Sequence, residues 1–169
     1  FDSDYNCRNT TIQYNYSHDN DGGLVLICNS GTYHGAGNQG SAVQYNVSIN
    51  DAIRPRATRS GIFSANIHIA GPCKNTLVQR NLLHVNPKTE PFIDRSIITS
   101  DSWDGYADST VFRENVFFVP QESEIRLNRS TRNTFDGNYY LGNIKGRPED
   151  PNGRNASDYY NQCISCLLY

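Results

Sequence analysis

A short pattern that recurs five times along the chain is the feature that most restricts its fold. Each copy contains an apolar residue, two variable residues, an asparagine and a second apolar residue. The five asparagines are Asn15, Asn46, Asn81, Asn115 and Asn138, separated by 31, 35, 34 and 23 residues. A period of about 20 to 50 residues is typical of solenoids, in which each unit buries its apolar side against its neighbours. The pattern therefore predicts a stack of similar units.

A second position recurs in step with the first. Residues 7–10 (Cys-Arg-Asn-Thr) resemble residues 73–76 (Cys-Lys-Asn-Thr), and Asn9 and Asn75 each lie six residues before a repeated asparagine. Residues 132–134 (Arg-Asn-Thr) match part of this segment, with Asn133 five residues before Asn138. Two coordinated positions support a true repeat, and we expect Asn9 to point inward like the repeated asparagines.

The segments between the repeats predict strands rather than helices. Short apolar runs at 24–27, 67–69, 97–98 and 125–127 each follow a turn containing Gly, Asp, Asn or Pro. The chain has 20 Asn, 13 Gly and no Met, and no unit has room for a helix of 10 to 15 residues. The prediction is an all-β fold, a right-handed parallel β-helix of about five rungs over residues 1–143. Residues 144–169 are expected to form a loop and a C-terminal capping segment.

A parallel β-helix gives the repeated asparagines a physical role. Successive coils stack about 4.8 Å apart, so equivalent side chains form a column. An amide side chain both donates and accepts hydrogen bonds, and Asn tolerates the left-handed backbone of sharp turns. Asn15 and Asn46 lie in Asn-x-Ser sequons but are predicted to be ladder residues, which leaves Asn128 and Asn155 as candidate glycosylation sites.

Residues 14–23, Tyr-Asn-Tyr-Ser-His-Asp-Asn-Asp-Gly-Gly followed by an apolar strand, resemble the repeats of the pectin-lyase-like superfamily of right-handed β-helices. The resemblance covers about residues 1–143. It implies an extracellular or cell-surface protein that binds or cleaves carbohydrate, as a lyase or a glycosidase. The chain lacks the paired Asp motif with Gly-His-Gly and Arg-x-Lys of polygalacturonases, and the calcium carboxylates with a basic Arg of pectate lyases. Five rungs are few for this superfamily, so we expect the C-terminal portion of a longer β-helix.

His18, Asp19 and Asp21 are the candidate catalytic residues. A histidine beside carboxylates can act as a general acid or base near neutral pH. The alternative is a turn whose Asp side chains cap its own backbone amides. His18 and His84 each lie three residues after a repeated asparagine, so we expect them in one column, about 10 Å apart. His84 is therefore a candidate substrate-binding residue.

Acidic residues near the start of the chain offer a second candidate site. If Asp2 and Asp4 fold against Asp19 and Asp21, the carboxylates could serve glycoside hydrolysis or bind Ca²⁺, the one cofactor that the sequence suggests. The alternative is a set of solvated turn acids.

A third set of candidates comprises aromatic and basic residues. Asp101, Trp103 and Asp104 combine a ring that can stack on a sugar with carboxylates that can bind hydroxyls. The alternative is a tryptophan that covers the edge of the core. Arg54 and Arg56, with the nearby Arg59, could bind the carboxylate of an acidic sugar, or simply be solvated in a loop.

His68 alternates with Ile67 and Ile69, so it should point away from the core and be exposed in a groove. His34 lies on a Gly-rich loop without the Lys and the helix of a phosphate loop. Cys163 and Cys166 form a Cys-x-x-Cys without a second pair, so we expect no metal site there.

Charge and hydropathy exclude two classes of partner. The net charge is −2 without a basic stripe, which argues against nucleic acid. No apolar run approaches the roughly 18 residues of a membrane span. Two interpretations remain. One is an extracellular protein that binds or cleaves polysaccharide. The other is a non-catalytic β-helix in a fibre or surface assembly, with end-to-end self-association through open coil ends.

Overall fold

The computed structural model describes residues 1–31, 35–55, 59, 65–85 and 96–156, and every regular element of two or more residues in these parts of the chain is a β-strand. The strands are β1 (Asp2–Ser3), β2 (Thr11–Gln13), β3 (Tyr16–His18), β4 (Val25–Cys28), β5 (Ala42–Gln44), β6 (Val47–Ile49), β7 (Ile67–Ala70), β8 (Leu77–Gln79), β9 (Leu82–His84), β10 (Ser96–Asp101), β11 (Val111–Arg113), β12 (Val116–Arg126), β13 (Thr134–Asp136) and β14 (Tyr139–Lys145).

The strands pair only in parallel among the described residues, and their order shows a coil. One sheet has the order β13-β11-β8-β5-β2, and each of its strands comes from one of the five repeated segments. The other has the order β1-β4-β7-β10-β12-β9-β6-β3, with β14 also on β12. The chain passes from one sheet to the other and returns one strand further along. This is a parallel β-helix, as the repeat spacing predicts.

Strand β12 divides the larger sheet into two faces, which we name by their histidines. The His68 face consists of β1, β4, β7, β10 and the end of β12, where Ile125 lies beside Ile98. The His84 face consists of β3, β6, β9, the start of β12 and the start of β14, where Phe117 lies beside Leu83 and Tyr140. The two faces present different side chains to the outside.

The core consists of columns of equivalent side chains, one from each coil. The smaller sheet contributes a single column of Ile12, Val43, Val78, Phe112 and Phe135. These residues are at most 8% exposed, and the last two rings stack with their centres 4.5 Å apart. Burying each such side chain stabilises the fold by about 1.5–3 kcal/mol. The apolar positions of the repeat therefore form the interior, as expected.

The asparagine ladder is present with regular geometry. In each step the backbone N and the side-chain Nδ2 of one asparagine both donate to the Oδ1 of the next, at 2.9–3.1 Å. Nδ2 of Asn46 also donates to the carbonyl oxygen of Ile12, and that of Asn115 to Val78, both at 2.9 Å. Because each amide bridges two coils, the ladder fixes their register.

The ladder ends on a carboxylate that the repeat pattern does not reveal. Both the backbone N and Nδ2 of Asn138 donate to Oδ2 of Asp150, at 3.1 and 2.9 Å. Gly137 N donates to Oδ1 of Asp150, and the hydroxyl of Tyr140 donates to Oδ2. Burial alone would raise the pKa of Asp150, but these hydrogen bonds outweigh it and hold the pKa below its ordinary value. Asp150 thus takes the place that an asparagine of a further coil would occupy.

The turn conformation differs from the expectation in one respect. The left-handed residue is the one before each ladder asparagine, not the asparagine itself. These residues are Tyr14, Tyr45, Arg80, Glu114 and Gly137, with φ between 52° and 69°. The asparagines are not left-handed because their backbone amides must point along the stack to the next coil.

The residue two positions before each of the first four ladder asparagines belongs to a second row of hydrogen bonds, outside the core. Nε2 of Gln44 donates to Oε1 of Gln13 at 2.8 Å, and Nε2 of Gln79 donates to Oε1 of Gln44 at 2.7 Å. Nη2 of Arg113 then donates to Oε1 of Gln79. Both positions that vary in sequence therefore carry contacts between coils.

The predicted inward orientation of Asn9 is wrong. Asn9 and Asn75 are exposed and have φ of 54°. They lie at a corner where the backbone must turn left-handed, and Gly40 takes the equivalent position in the next coil with φ of 71°. Asparagine recurs there because it tolerates this conformation, not because its side chain is buried.

Candidate functional site

The predicted catalytic cluster lies on an exposed turn. Nδ1 of His18 is 2.9 Å from Oδ2 of Asp19, and the two side chains are 55% and 59% exposed. Nδ2 of Asn50 also donates to Asp19. The hydrogen bonds from Asn50 and then from His18 hold the pKa of Asp19 below its ordinary value. Asp21 is exposed, and its carbonyl oxygen accepts a bond from Arg54 N. The carboxylate of Asp19 thus bonds side chains of its own turn and of the next coil.

Of the two early acidic residues, Asp4 does not join this cluster. Oδ1 of Asp4 accepts hydrogen bonds from Tyr5 N and from the thiol of Cys28, at the far end of β4. Asp19 and Asp21 precede the start of that strand. No group of three or more His, Cys, Asp or Glu side chains suited to a metal ion exists in the described parts of the chain. Strand β4 therefore separates Asp4 from the turn of Asp19 and Asp21, whereas Asp2 lines a depression together with Gly22, the residue after Asp21.

His18 and His84 lie in one column, as the spacing predicts, with Ile49 between them. The rings of Tyr16 and His18 are 5.0 Å apart, and the ring of His84 stacks on Phe118. The column is apolar apart from its two histidines, so it does not form a polar substrate site.

Trp103 packs within the molecule. Its ring meets the edge of Tyr5 at 6.2 Å, and its carbonyl oxygen accepts a hydrogen bond from Gly31 N at 2.7 Å. Asp104 is exposed and accepts a bond from the hydroxyl of Ser30 at 3.4 Å. Trp103 is half-buried, and its contacts join the turns that follow β1, β4 and β10 rather than leaving its ring free on the surface.

Arg54 lies beside a depression of about 290 Å³ on the His68 face, whose lining also includes Asp2, Leu26 and His68. Burial raises the pKa of Asp2, and the neighbouring Asp4 adds to this effect. Arg56, His34, Cys163 and Cys166 lie outside the described residues.

A second His–Asp pair, His68 and Asp101, is more buried than the pair of His18 and Asp19. Nε2 of His68 is 2.8 Å from Oδ2 of Asp101, and the side chains are 6% and 43% exposed. His68 points away from the core, because Ile67 and Ile69 on either side belong to it. The expectation that His68 is exposed is wrong, whereas its outward direction is confirmed.

Strand register brings further polar side chains to this pair. Thr99 lies beside His68 in the sheet, and Arg126 lies beside Thr99. Nη2 of Arg126 donates to the hydroxyl of Thr99 at 3.4 Å, and Nδ2 of Asn128 donates to Oδ1 of Asp101 at 3.3 Å. Strands β7, β10 and β12 thus place a row of polar groups across the His68 face.

The electrostatics of the row favour an ionised carboxylate. The hydrogen bond from His68 has the largest effect on the pKa of Asp101 and lowers it, and the charge of Arg126 lowers it further. Burial works in the opposite direction and is outweighed. Asp101 therefore stays charged near neutral pH, where it can accept hydrogen bonds from hydroxyls or take up a proton, but cannot serve as a general acid.

The sequence identified Asp101 but did not assign its partners. The alternation of His68 with isoleucines shows that it points outward, yet the pairing of His68 with Asp101 depends on register across a connection of variable length. Arg126 lies within an apolar run, Ile125-Arg126-Leu127, whose alternation is the only sequence signal of its outward direction.

The two candidate glycosylation sites differ in their surroundings. Asn128 is exposed, but its Nδ2 donates to the carbonyl oxygen of Ser100 at 2.5 Å as well as to Asp101. Asn155 is exposed at the end of the described chain. A glycan on Asn128 would displace contacts of the candidate site, so Asn155 is the better acceptor of the two.

A comparison of the chain with protein families, with curated proteins and with solved structures found no match. The resemblance to the pectin-lyase-like superfamily therefore stays a prediction. Within the described residues, no helix is long and apolar enough to cross a membrane.

Proposed function

We propose that this chain is an extracellular pectin-lyase-like β-helix protein that binds or cleaves polysaccharide along its His68 face. The observation that carries the proposal is the pair of His68 and Asp101, with Thr99, Arg126 and Asn128 in line across neighbouring strands. No other described part of the surface joins a buried histidine to a half-exposed carboxylate.

The spacing of the row suits a linear polymer. Three adjacent parallel strands span about 10 Å, so one extended chain can contact all of them at once. Asp101 offers an ionised acceptor for sugar hydroxyls, and Arg126 offers donors. Because His68 is buried, it acts on a ligand through Asp101, whose orientation and charge it maintains.

The test compares two His–Asp pairs of the same chain. Binding of homogalacturonan, alginate and a neutral glucan is measured by affinity gel electrophoresis for the wild type, Asp101→Asn and Asp19→Asn. We expect the wild type to bind at least one polymer, Asp101→Asn to bind at least tenfold more weakly, and Asp19→Asn to stay within twofold of the wild type. Asp19 is the matched control because it also pairs with a histidine, but on an exposed turn.

The same samples separate binding from cleavage. New reducing ends would indicate hydrolysis, and new unsaturated ends would indicate elimination. If no polymer binds, or if both variants lose binding equally, the proposal is wrong.

A structural role in an assembly is the second candidate, and the ends of the coil favour it. Strands β2 and β3 are terminal strands of their sheets; the exposed Tyr14 lies between them and the exposed Tyr16 begins β3. Unpaired strand edges are sites of association. At the opposite end, Asp150 and Arg154 cover the last coil. Sedimentation of the wild type and Tyr16→Lys tests this role, since only association through the β2–β3 end would be weakened by the added charge.

A further inference from the structure

A depression of about 290 Å³ lies at the start of β4 on the His68 face, beside the polar row rather than within it. Its lining includes Asp2, Gly22, Leu26 and Arg54, and only His68 borders both the depression and the row. A share of about 30 Å³ for each water molecule in the liquid gives the depression room for roughly ten non-hydrogen atoms. The depression therefore has the size of a small molecule rather than of a polymer segment.

The walls combine apolar surface with two charges of opposite sign. Val25, Leu26 and Ala65 supply apolar surface, and Asp2 and Arg54 supply the charges. No ion pair joins Asp2 to Arg54, and Arg54 is not among the charges that affect the pKa of Asp2. The two charges therefore line the same space without neutralising each other.

Arg54 is a cation that the described residues leave without an acceptor. Its side chain is half-buried, and its backbone N donates to the carbonyl oxygen of Asp21. Nε is enclosed and has no hydrogen-bond partner, so a ligand can meet the guanidinium only through its two terminal nitrogens. Those nitrogens form no hydrogen bond or ion pair with a described residue. A carboxylate is the group that best matches two such donors.

Asp2 supplies the opposite charge. Burial and the neighbouring Asp4 raise the pKa of Asp2, and the ammonium group of Phe1 offsets them only in part. The carboxylate of Asp2 accepts no hydrogen bond within the described part of the chain. A cation bound beside it would stabilise the ionised form, because opposite charges a few ångströms apart favour each other.

These two charges restrict what the depression can bind. A neutral ligand would displace water from Arg54 and Asp2 without giving either a charged partner, which is unfavourable. A ligand with a single charge would pair with one of them and leave the other uncompensated. A molecule that has both an ammonium group and a carboxylate gives each a partner, while its apolar part is removed from water against the apolar walls.

We infer that the depression at the start of β4 binds a small amino acid with an apolar side chain. The carboxylate of the ligand accepts hydrogen bonds from the terminal nitrogens of Arg54, its ammonium group donates to Asp2, and its side chain packs on Val25 and Leu26. The site does not depend on the polysaccharide binding proposed above, because its two charged residues lie outside the polar row.

The test uses L-leucine as the probe, with isoamylamine and 4-methylpentanoate as matched ligands that lack the carboxylate and the ammonium group. Affinities are measured by calorimetry or ligand-observed NMR on the full chain. We expect leucine to bind at least about fivefold more tightly than either, because each of the other two lacks one charge-assisted interaction.

Two substitutions identify which residue holds which end of the ligand. Arg54→Gln should reduce the affinity for leucine to that for isoamylamine, without weakening isoamylamine. Asp2→Asn should reduce the affinity for leucine to that for 4-methylpentanoate, without weakening 4-methylpentanoate. Arg129→Gln changes an exposed arginine outside the depression and should leave all three affinities as they are in the wild type.

A third substitution fills the depression and leaves the charges in place. A β-carbon added at Gly22 meets no atom within 4 Å other than those of its chain neighbours. Gly22→Leu should therefore extend into open space and abolish binding of all three ligands. Urea unfolding of this variant should match that of the wild type, which separates a blocked site from a damaged fold.

Three results would contradict the inference. These are a lack of saturable leucine binding, equal affinities of the wild type for leucine and for either matched ligand, and equal effects of Arg54→Gln and Arg129→Gln. Galactose that binds as tightly as leucine and competes with it would also overturn the inference, because the depression would then belong to a sugar site.

Discussion

The middle of the asparagine ladder and its two ends contain the same side chain in different surroundings. Asn81 and Asn115 are at most 1% exposed, and each both donates to the next coil and accepts from the previous one. Asn15 is half-exposed and donates to Asn46, but its Oδ1 accepts no bond from any described residue. At the other end, Asn138 donates to a carboxylate. The contribution of an identical residue to stability should therefore follow its position in the stack.

The largest effect is expected in the middle. Asn115→Ala would remove the acceptor for the backbone N of Asn81 and the side-chain donor to the carbonyl oxygen of Val78. Asn138 Oδ1 would keep the backbone N of residue 115, and Nδ2 of Asn81 would keep the carbonyl oxygen of Val43. At about 1–3 kcal/mol for each of the two buried groups that lose a partner, the loss in the free energy of unfolding should be at least about 2 kcal/mol. Urea unfolding at pH 7 measures it. A loss below 1 kcal/mol would mean that the amide column is not what holds the coils in register.

The carboxylate end should show an intermediate effect with a pH dependence. Because the folded-state pKa of Asp150 is lowered, its contribution is fully present above the unfolded pKa of about 3.9 and is lost as pH falls through the folded pKa. Asp150 is half-buried, so water can replace part of its hydrogen bonds, and Nδ2 of Asn138 keeps the carbonyl oxygen of Phe112. Asp150→Ala should therefore cost about 1–2 kcal/mol at pH 7 and make stability less sensitive to pH below about 4.

The neighbouring Glu149 is exposed and provides the control for this substitution. Thermal unfolding of Glu149→Ala between pH 2.5 and 7 should follow the wild type. If Asp150→Ala keeps the full acid sensitivity of the wild type, Asp150 does not close the ladder energetically.

The smallest effect is expected at the open end. Asn15→Ala removes donors to Asn46 and to the carbonyl oxygen of Gln13, but water can replace the lost bonds at this half-exposed position. The expected loss is about 1 kcal/mol or less, measured by urea unfolding beside Asn115→Ala. Equal losses for the two variants would remove the distinction between the middle and the end.

The ladder could be predicted because equivalent residues recur at a nearly constant spacing. Asp150 could not, since it is a different residue type in a loop and takes its place only when the chain folds back over the last coil. The pair of His68 and Asp101 depends on the register between β7 and β10, which the hydrophobic pattern does not set. The sequence did not predict which residues are left-handed, because tyrosine, arginine and glutamate are not typical of that conformation.

Those left-handed residues have a consequence for how such a chain can evolve. Each costs about 1 kcal/mol or more in backbone strain, and each projects a side chain onto the one from the next coil. Tyr14 stacks on Tyr45 at 5.3 Å, the Tyr45 hydroxyl accepts a bond from Arg80, and Arg80 forms an ion pair with Glu114. The contact differs at each step, and deleting the coil that contains Arg80 would leave Glu114 without its ion-pair partner. Arg80 therefore makes this part of the stack dependent on the order of its coils.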